Sequence, residues 1–141
     1  MKACFTILGN INYLAVLTAT FITMILGALW FSPILFGKKW MKMMGFTEEQ
    51  LKEDGSAKEM IISVFTSFVE AIVLASLIIM TGADTFFQGL HLGLMIGIGI
   101  IAMVNLSNAM FNRVPIKLWL IGSGYRLVYF MINGALLAIW K

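Results

Sequence analysis

Charged side chains are scarce in this chain: of its 141 residues only 12% are Asp, Glu, Lys or Arg, whereas 60% are hydrophobic. A soluble domain carries about 25% charged residues, and one of this length has too little interior to bury so much apolar surface. The composition therefore excludes an ordinary soluble domain. It predicts a membrane protein that exposes its apolar side chains to lipid.

Cysteine and histidine each occur once, as Cys4 and His91. A single cysteine forms no intramolecular disulfide, and a single histidine has no second one with which to share a metal. We therefore predict neither a metal site nor a cofactor. We also expect no enzymatic activity, because the sequence shows no Ser–His–Asp set and no phosphate-binding loop.

Four apolar segments reach the roughly 20 residues that a spanning helix needs. They cover about 11–31, 60–81, 86–110 and 116–140, and the first segment extends toward Ala3 in an alternative reading. Backbone groups must pair internally in hydrocarbon, so the segments are predicted to be helices. We expect one all-α transmembrane domain over 1–141, with a longer, amphipathic and partly helical connection at 32–59.

Basic residues are concentrated in two of the three connections. The segment 32–59 contains five lysines, and Arg113 and Lys117 lie at the third connection, whereas 81–85 contains no basic residue. The positive-inside rule then predicts a cytoplasmic 32–59 segment and both termini outside, in the inner (plasma) membrane of a cell. This placement explains the net charge of +3 by topology, so no nucleic-acid partner is expected.

The connection 32–59 carries its own structural signals. The run FGKKWMKMMGF at 36–46 mixes lysines with aromatic residues and methionines, a composition typical of a segment that lies among lipid headgroups; a solvated loop is the alternative. Thr47 with Gln50, and Ser56 with Glu59, have the spacing of capping boxes that begin helices.

Glu70 is the one charged residue between Met60 and Thr81. Arg126 is the one basic residue in the interior of any span, since Lys117 lies at the very start of the fourth. An isolated charge at the membrane centre costs a few kcal/mol or more. Each residue lies ten positions after the start of its segment, and the second and fourth segments run in the same direction. We therefore predict that Glu70 and Arg126 lie at equal depth and face each other.

Further polar residues lie near this pair in a helical projection. At 100° per residue, Ser63 and Ser67 share a face with Glu70, while Tyr129 and Asn133 share a face with Arg126. Asn105 and Asn108 lie on the third segment, toward its cytoplasmic end. Two interpretations remain open: a structural ion pair with hydrogen bonds between helices, or a polar pathway in which Glu70 binds a proton or cation.

Gly89, Gly93 and Gly97 recur at every fourth position of the third segment. Such a ridge of small residues allows close contact between membrane helices. The contact is either within the chain or between copies of it. Because four helices enclose little interior, a pathway forms more easily between protomers, and we expect a homo-oligomer.

A motif at the end of the first segment resembles a known family. Its parts are GALWFSP at 27–33, FGK at 36–38 followed by Trp40, MGFT at 44–47, and NYLAV at 12–16. Together they resemble the small bacterial membrane family called domain of unknown function 1761. The resemblance implies a four-helix integral membrane protein without an established activity, and it supplies no catalytic residues.

The same motif has a physical interpretation. Trp30 and Trp40 suit the membrane interface, and Pro33 ends a helix because it has no N–H and restricts Ser32 before it. The segment is either a helix end with an aromatic anchor or a fold-back over Ser32 to Gly37 that shapes a cytoplasmic vestibule.

These observations lead to two functional hypotheses. The leading one is a homo-oligomeric transporter- or channel-like protein with Glu70 and Arg126 as its central charges, whose ion or small ligand is unknown. The alternative is a structural or lipid-interacting membrane protein whose buried charges serve only helix packing.

Overall fold

The structure, a computed structural model, describes residues 2–47, 49–50 and 57–141. In chain order its helices are α1 (Lys2–Gly9), α2 (Tyr13–Trp30), α3 (Gly37–Met44), α4 (Ala57–Thr81), α5 (Phe86–Phe111) and α6 (Ile116–Ile139). The described part of the chain contains no strand. Four of the helices, α2, α4, α5 and α6, are long and apolar enough to cross a membrane, which confirms the predicted four-helix membrane fold.

The first span begins later than expected. Asn12 caps α2, because its Oδ1 accepts hydrogen bonds from the N–H groups of Leu14 and Ala15 at 3.1 and 3.2 Å. The helix starts two residues after the predicted position of about residue 11, and the alternative start nearer Ala3 is wrong. Lys2–Gly9 is helical, but it forms the separate helix α1, which ends three residues before the Asn12 cap.

The other boundaries lie close to the predicted ones. Helix α4 begins at Ala57 rather than at residue 60. The capping box of Thr47 and Gln50 is formed in both directions, with N···O distances of 3.0 and 3.2 Å. Ser56 lies outside the described residues, and so does most of the short helix expected after Thr47.

A tight turn joins α4 to α5, as the sequence predicts. Gly82 adopts a positive φ of 69° after the last turn of α4. Thr85 then begins α5 with a capping box in which its hydroxyl accepts from the N–H of Gln88 while the Gln88 side chain accepts from the N–H of Thr85. The T-x-x-Q spacing of this cap is visible in the sequence and was missed.

Helix α6 is the centre of the bundle. It packs against α2, α4 and α5, and the first two of these also pack against each other. Helix α5 contacts α6 along its length, but it contacts α4 little despite the tight turn between them. Because α4 and α5 lie on α6 without closing on each other, a face of the bundle between them stays open.

Small and branched apolar side chains fill the core, with Val16 and Ala19 from α2, Leu74 and Ile78 from α4, and Phe130 from α6. Outside this core, large apolar side chains of every long helix are exposed. Exposure of this extent is stable only in lipid, so the chain is a multi-pass membrane protein whose outer surface contacts the bilayer.

Helix α2 ends at Trp30, and the chain folds back over Ser32 to Gly37 into α3. The N–H of Phe36 donates to the carbonyl of Trp30 at 3.1 Å, and the N–H of Gly37 donates to that of Ser32 at 2.9 Å. A Cβ on Gly37 would lie 2.2 Å from the carbonyl oxygen of Phe31. The turn therefore depends on glycine at position 37.

Aromatic rings hold this fold-back against the bundle. The Trp30 ring lies 4.9 Å from that of Phe36, and the Phe31 ring lies 5.6 Å from that of Trp40. The Trp30 indole N–H also donates to the carbonyl of Ile121 on α6 at 3.1 Å. The motif thus anchors α3 at the end of the bundle where α2 finishes and α4 and α6 begin, which we call the basic end.

Candidate functional site

Glu70 and Arg126 form the predicted ion pair. Glu70 lies near the middle of α4 and Arg126 near the middle of α6, and the Arg126 Nη1 donates to the Glu70 Oε1 at 2.7 Å. The pairing follows from the helix order, because α4 and α6 run in the same direction and pack against each other. The prediction that the two side chains meet is confirmed.

Tyr129 completes the coordination of the carboxylate. Its hydroxyl donates to the Glu70 Oε2, and its ring lies 5.8 Å from the guanidinium carbon of Arg126. Residues three apart on a helix are neighbours on its surface, so α6 presents the guanidinium and the phenol together to α4. Both oxygens of Glu70 are thereby hydrogen-bonded.

The ion pair is not sealed inside the bundle. The side chain of Arg126 is 39% exposed and that of Glu70 is 28% exposed, whereas Tyr129 beside them is 2% exposed. A guanidinium has five N–H donors. Arg126 donates to Glu70 and also lies within hydrogen-bonding reach of the Tyr129 hydroxyl. Because its side chain is 39% exposed, further N–H groups of the guanidinium can reach a partner outside the bundle.

A second polar contact lies deeper, between α2 and α6. The Asn133 Nδ2 donates to the hydroxyl of Thr23 at 2.7 Å, and the hydroxyl of Tyr125 donates to the Thr23 carbonyl at 3.2 Å. Asn133 and Thr23 are both buried, at about 1% exposure. This contact binds helices together as the structural interpretation expects, and it brings Asn133 to α2 rather than to Glu70.

Asn105 and Asn108 line a groove between α5 and α6. Its volume is about 240 Å³, and Asn112, Trp119 and Ser123 also line it. Ser123 lies one helical turn before Arg126, on the side of the basic end. The groove therefore approaches the ion pair from the basic end. In the sequence, the only indication of this groove is that Asn105 and Asn108 both lie near that end of the third span.

Ser123 gives the groove an unused polar group. Its side chain is 6% exposed, and its hydroxyl has no hydrogen-bond partner within the described residues. Buried hydroxyl groups usually find a partner in the protein or in ordered water. The groove beside Ser123 is largely apolar but carries the amides of Asn105, Asn108 and Asn112, and it has room for a water molecule that would satisfy this hydroxyl.

A π-helical segment, Gly97–Ala102, interrupts α5 beside this groove. The Trp119 indole N–H donates to the Ala102 carbonyl at 3.1 Å, so a side chain of α6 is bonded to the end of the widened turn. Segments of this kind occur frequently at functional sites. This segment was not predicted from the sequence, in which the glycines of the third span indicate only close helix packing.

The glycine ridge packs within the chain. A Cβ on Gly89 would lie 2.1 Å from the carbonyl oxygen of Gly134, and one on Gly93 would lie 2.1 Å from that of Phe130. A Cβ on Gly97 would lie 2.8 Å from the side chain of Leu127. All three glycines thus face α6 of the same chain, and the intramolecular alternative is the one that the structure contains.

The remaining predicted residues lie apart from the pair. Ser67 is buried on α4, one turn before Glu70, whereas Ser63 is exposed one turn further toward the basic end. His91 is exposed on α5. In the described part of the chain, no three His, Cys, Asp or Glu side chains lie close enough together to hold a metal ion.

Comparison with known proteins identifies a family. A family model described as a protein of unknown function, DUF1761, matches residues 14–138. The chain therefore belongs to the DUF1761 family, in agreement with the resemblance of its GALWFSP motif. No curated protein and no solved structure matches the chain. The family description assigns no ligand, so functional inference depends on the geometry of the site.

Proposed function

We propose that the protein is a homo-oligomeric, transporter- or channel-like membrane protein in which Glu70 and Arg126 are the central charges of a polar pathway. The observation that carries this proposal is the partial exposure of the ion pair near the middle of two spanning helices. A charge in contact with hydrocarbon costs a few kcal/mol or more, so the exposed side of the pair requires water, an ion or another chain.

The groove between α5 and α6 supports an approach from the basic end. It carries the amides of Asn105 and Asn108 and the unpartnered hydroxyl of Ser123. These groups can hydrogen-bond to water or to a small polar ligand one helical turn from Arg126. A pathway needs such a chain of polar groups between the membrane surface and its central site.

The homo-oligomer is proposed from the open face between α4 and α5. The first part of α4, from Ala57 to Thr66, is exposed along every side, including Ser63 and the large side chains of Ile61 and Phe65. Four helices enclose little interior, so a water-filled path forms more readily when a second copy covers this face. The glycine ridge takes no part in that contact, because α6 already covers it.

A non-enzymatic role is part of the proposal. The polar groups that the described helices bring together are an ion pair, a phenol, amides and hydroxyls. These groups bind and orient ions or polar molecules.

The alternative function is a structural ion pair that only fixes the register of α4 and α6. Its support is the complete coordination of the carboxylate, because both Glu70 oxygens are bound by α6. A buried pair whose one partner is removed leaves the other charge uncompensated, which destabilises a protein by about 3–5 kcal/mol; partial exposure reduces that figure.

The variants Glu70→Gln, Arg126→Met and their combination distinguish the two functions. Each is reconstituted into liposomes that contain a pH-sensitive dye, and proton flux is measured under a potassium diffusion potential, with chloride flux as a second arm. Asp84→Asn removes a carboxylate from the exposed turn and is the matched control. The pathway proposal expects folded single variants that have lost the flux, with Asp84→Asn active.

Two other results would contradict the pathway. One is flux that survives in the combined variant, because the central charges would then be dispensable. The other is a thermal stability that falls in each single variant and recovers in the combination, without any change in flux, which identifies a structural pair. The oligomeric state is measured on the same samples by native mass spectrometry, and a monomer in lipid nanodiscs would refute the homo-oligomer.

A further inference from the structure

A second groove lies at the basic end, between α3 and the first turns of α6. Its volume is about 380 Å³. Three lysines surround it, namely Lys39, Lys42 and Lys117. Its other lining side chains are apolar and include Phe36, Met43 and Leu120. The groove thus combines a cationic rim with an apolar floor.

The three lysines come from two helices that are far apart in the sequence. Lys39 and Lys42 are three residues apart on α3 and share one of its faces, while Lys117 is the second residue of α6. The aromatic fold-back that follows Trp30 places α3 against α6 and so gathers them. The sequence predicts that the α3 lysines lie among lipid headgroups, but it does not show that they share a groove with Lys117.

No carboxylate neutralises this rim in the described part of the chain. Within the described residues, the ion pair is that of Glu70 with Arg126, away from the groove, and none of the three lysines takes part in it. Like charges gathered around one groove repel each other, and salt screens that repulsion only in part at short distances. An anion bound between the lysines would convert the repulsion into attraction.

The position of the groove favours a lipid as the source of that anion. The ends of α2 and α6 lie where spanning helices leave the hydrocarbon, which is the height of lipid phosphates. Basic pockets between membrane helices at this height bind anionic headgroups. The apolar floor continues from Leu120 along the exposed side of α6, where it meets the acyl chains of the bilayer.

We propose that this groove binds one anionic phospholipid of the bilayer, whose phosphate lies between Lys39, Lys42 and Lys117 and whose acyl chain covers Phe36, Met43 and Leu120. Lysine suits this role as a compact charge that binds phosphate without the planar geometry of arginine. The site is separate from the Glu70–Arg126 pair. It therefore does not depend on the proposed transport function.

The experiment measures lipid affinity on the full chain in a neutral detergent by native mass spectrometry. Phosphatidylglycerol is compared with phosphatidylcholine of the same acyl chains. Each lysine near a membrane surface contributes about 1 kcal/mol toward an anionic lipid, or about fivefold in affinity. The variant Lys39→Gln/Lys42→Gln/Lys117→Gln should therefore bind phosphatidylglycerol roughly a hundredfold more weakly than the original chain, and its affinity for phosphatidylcholine should not change.

A matched control separates a site from diffuse attraction. Lys38→Gln/Lys58→Gln/Lys141→Gln removes the same number of positive charges, and none of these residues lines the groove, although Lys38 lies on α3 itself. We expect the control to retain its affinity for phosphatidylglycerol within about threefold, because diffuse attraction of distant charges is screened. Circular dichroism confirms that both triple variants are folded, since every substituted lysine is exposed.

Three results would overturn the proposal. One is an equal loss of affinity in the two triple variants. Another is a chain that binds phosphatidylglycerol no more tightly than phosphatidylcholine. The third is inorganic phosphate that displaces the lipid at equal concentration, because the groove would then be a site for soluble phosphate in which the apolar floor contributes nothing.

Discussion

Replacement of Gly93 by alanine tests the packing on which the whole bundle depends. The added Cβ would lie 2.1 Å from the carbonyl oxygen of Phe130 and 2.9 Å from the Cα of Met131, both in the backbone of α6. Backbone atoms cannot rotate away as a side chain can. Ordinary contact begins at 3.4 Å. Helices α5 and α6 would therefore have to separate by about 1.3 Å, the difference between 3.4 and 2.1 Å.

The expected cost follows from two opposing effects. Overpacking of a well-packed contact destabilises a protein by about 1–3 kcal/mol. Alanine is a better helix former than glycine by about 0.8–1 kcal/mol, which offsets part of that cost. Van der Waals contact is a main source of association between membrane helices, so a separation of more than 1 Å along α5 has a large effect. We expect a net loss of unfolding free energy of up to about 2 kcal/mol for Gly93→Ala.

Gly122→Ala is the matched control. The substitution is chemically identical and lies inside α6, but nothing lies within 4 Å of the added Cβ. This variant should be as stable as the original chain or more stable, because it gains helix propensity without a clash. Both variants are unfolded by sodium dodecyl sulfate in mixed micelles and followed by far-ultraviolet circular dichroism. If Gly93→Ala and Gly122→Ala unfold at the same mole fraction of sodium dodecyl sulfate, α5 and α6 are not in this close contact.

Three further predictions concern the ends and the centre of the bundle. Gly37→Ala should lower the free energy of unfolding by about 1–3 kcal/mol in the same titration, because its Cβ would meet backbone carbonyls of the fold-back. Gly9→Ala is the control and should leave that free energy unchanged, because the space around Gly9 is open. A double-mutant cycle of Thr23→Val and Asn133→Ala should give a coupling of about 0.6–1.7 kcal/mol, and additive effects would exclude their hydrogen bond. Trp30→Phe should cost about 0.5–1.5 kcal/mol through the lost indole bond to α6, and an unchanged unfolding midpoint would exclude that bond.

The spans were predictable because hydropathy is averaged over about 20 residues, so one atypical residue changes the mean little. The contact of Glu70 with Arg126 was predictable for a different reason. Two unlike charges at the same depth of parallel helices have few alternatives in hydrocarbon. Both inferences depend on the membrane as solvent, and neither requires knowledge of side-chain packing.

The composition of the site around the pair could not be predicted in the same way. A helical projection places both Tyr129 and Asn133 within about 60° of Arg126, but it does not state on which side α4 or α2 packs. In the structure α4 approaches the Tyr129 side, and Asn133 meets Thr23 on α2. Ser63 shares the projected face of Glu70 but is exposed, because the first part of α4 has no neighbour in the described chain.

The two grooves could not be predicted from the sequence, because each is formed between two helices. The lysine-lined groove requires the fold-back after Trp30, which brings α3 to Lys117 across more than seventy residues of sequence. The groove lined by Asn105 requires the π-helical segment that precedes it. A single helix carries no periodic signal for a contact of this kind.

The glycine ridge and the groove lined by Asn105 and Ser123 follow each other along the contact between α5 and α6. At Gly89 and Gly93 the backbone of α5 touches the backbone of α6 so closely that no Cβ fits between them, and at Gly97 the side chain of Leu127 fills the contact. The ridge ends at Gly97, where the π-helical segment begins, and beyond it the space between the helices is the groove lined by Asn105 and Ser123. Arg126 lies at this transition, next to Leu127, which contacts Gly97. Along α6 the ridge and this groove therefore lie on opposite sides of Arg126, with the groove toward the basic end. The proposed pathway uses this arrangement, because a ligand that enters the groove at the basic end meets Ser123 one helical turn from Arg126.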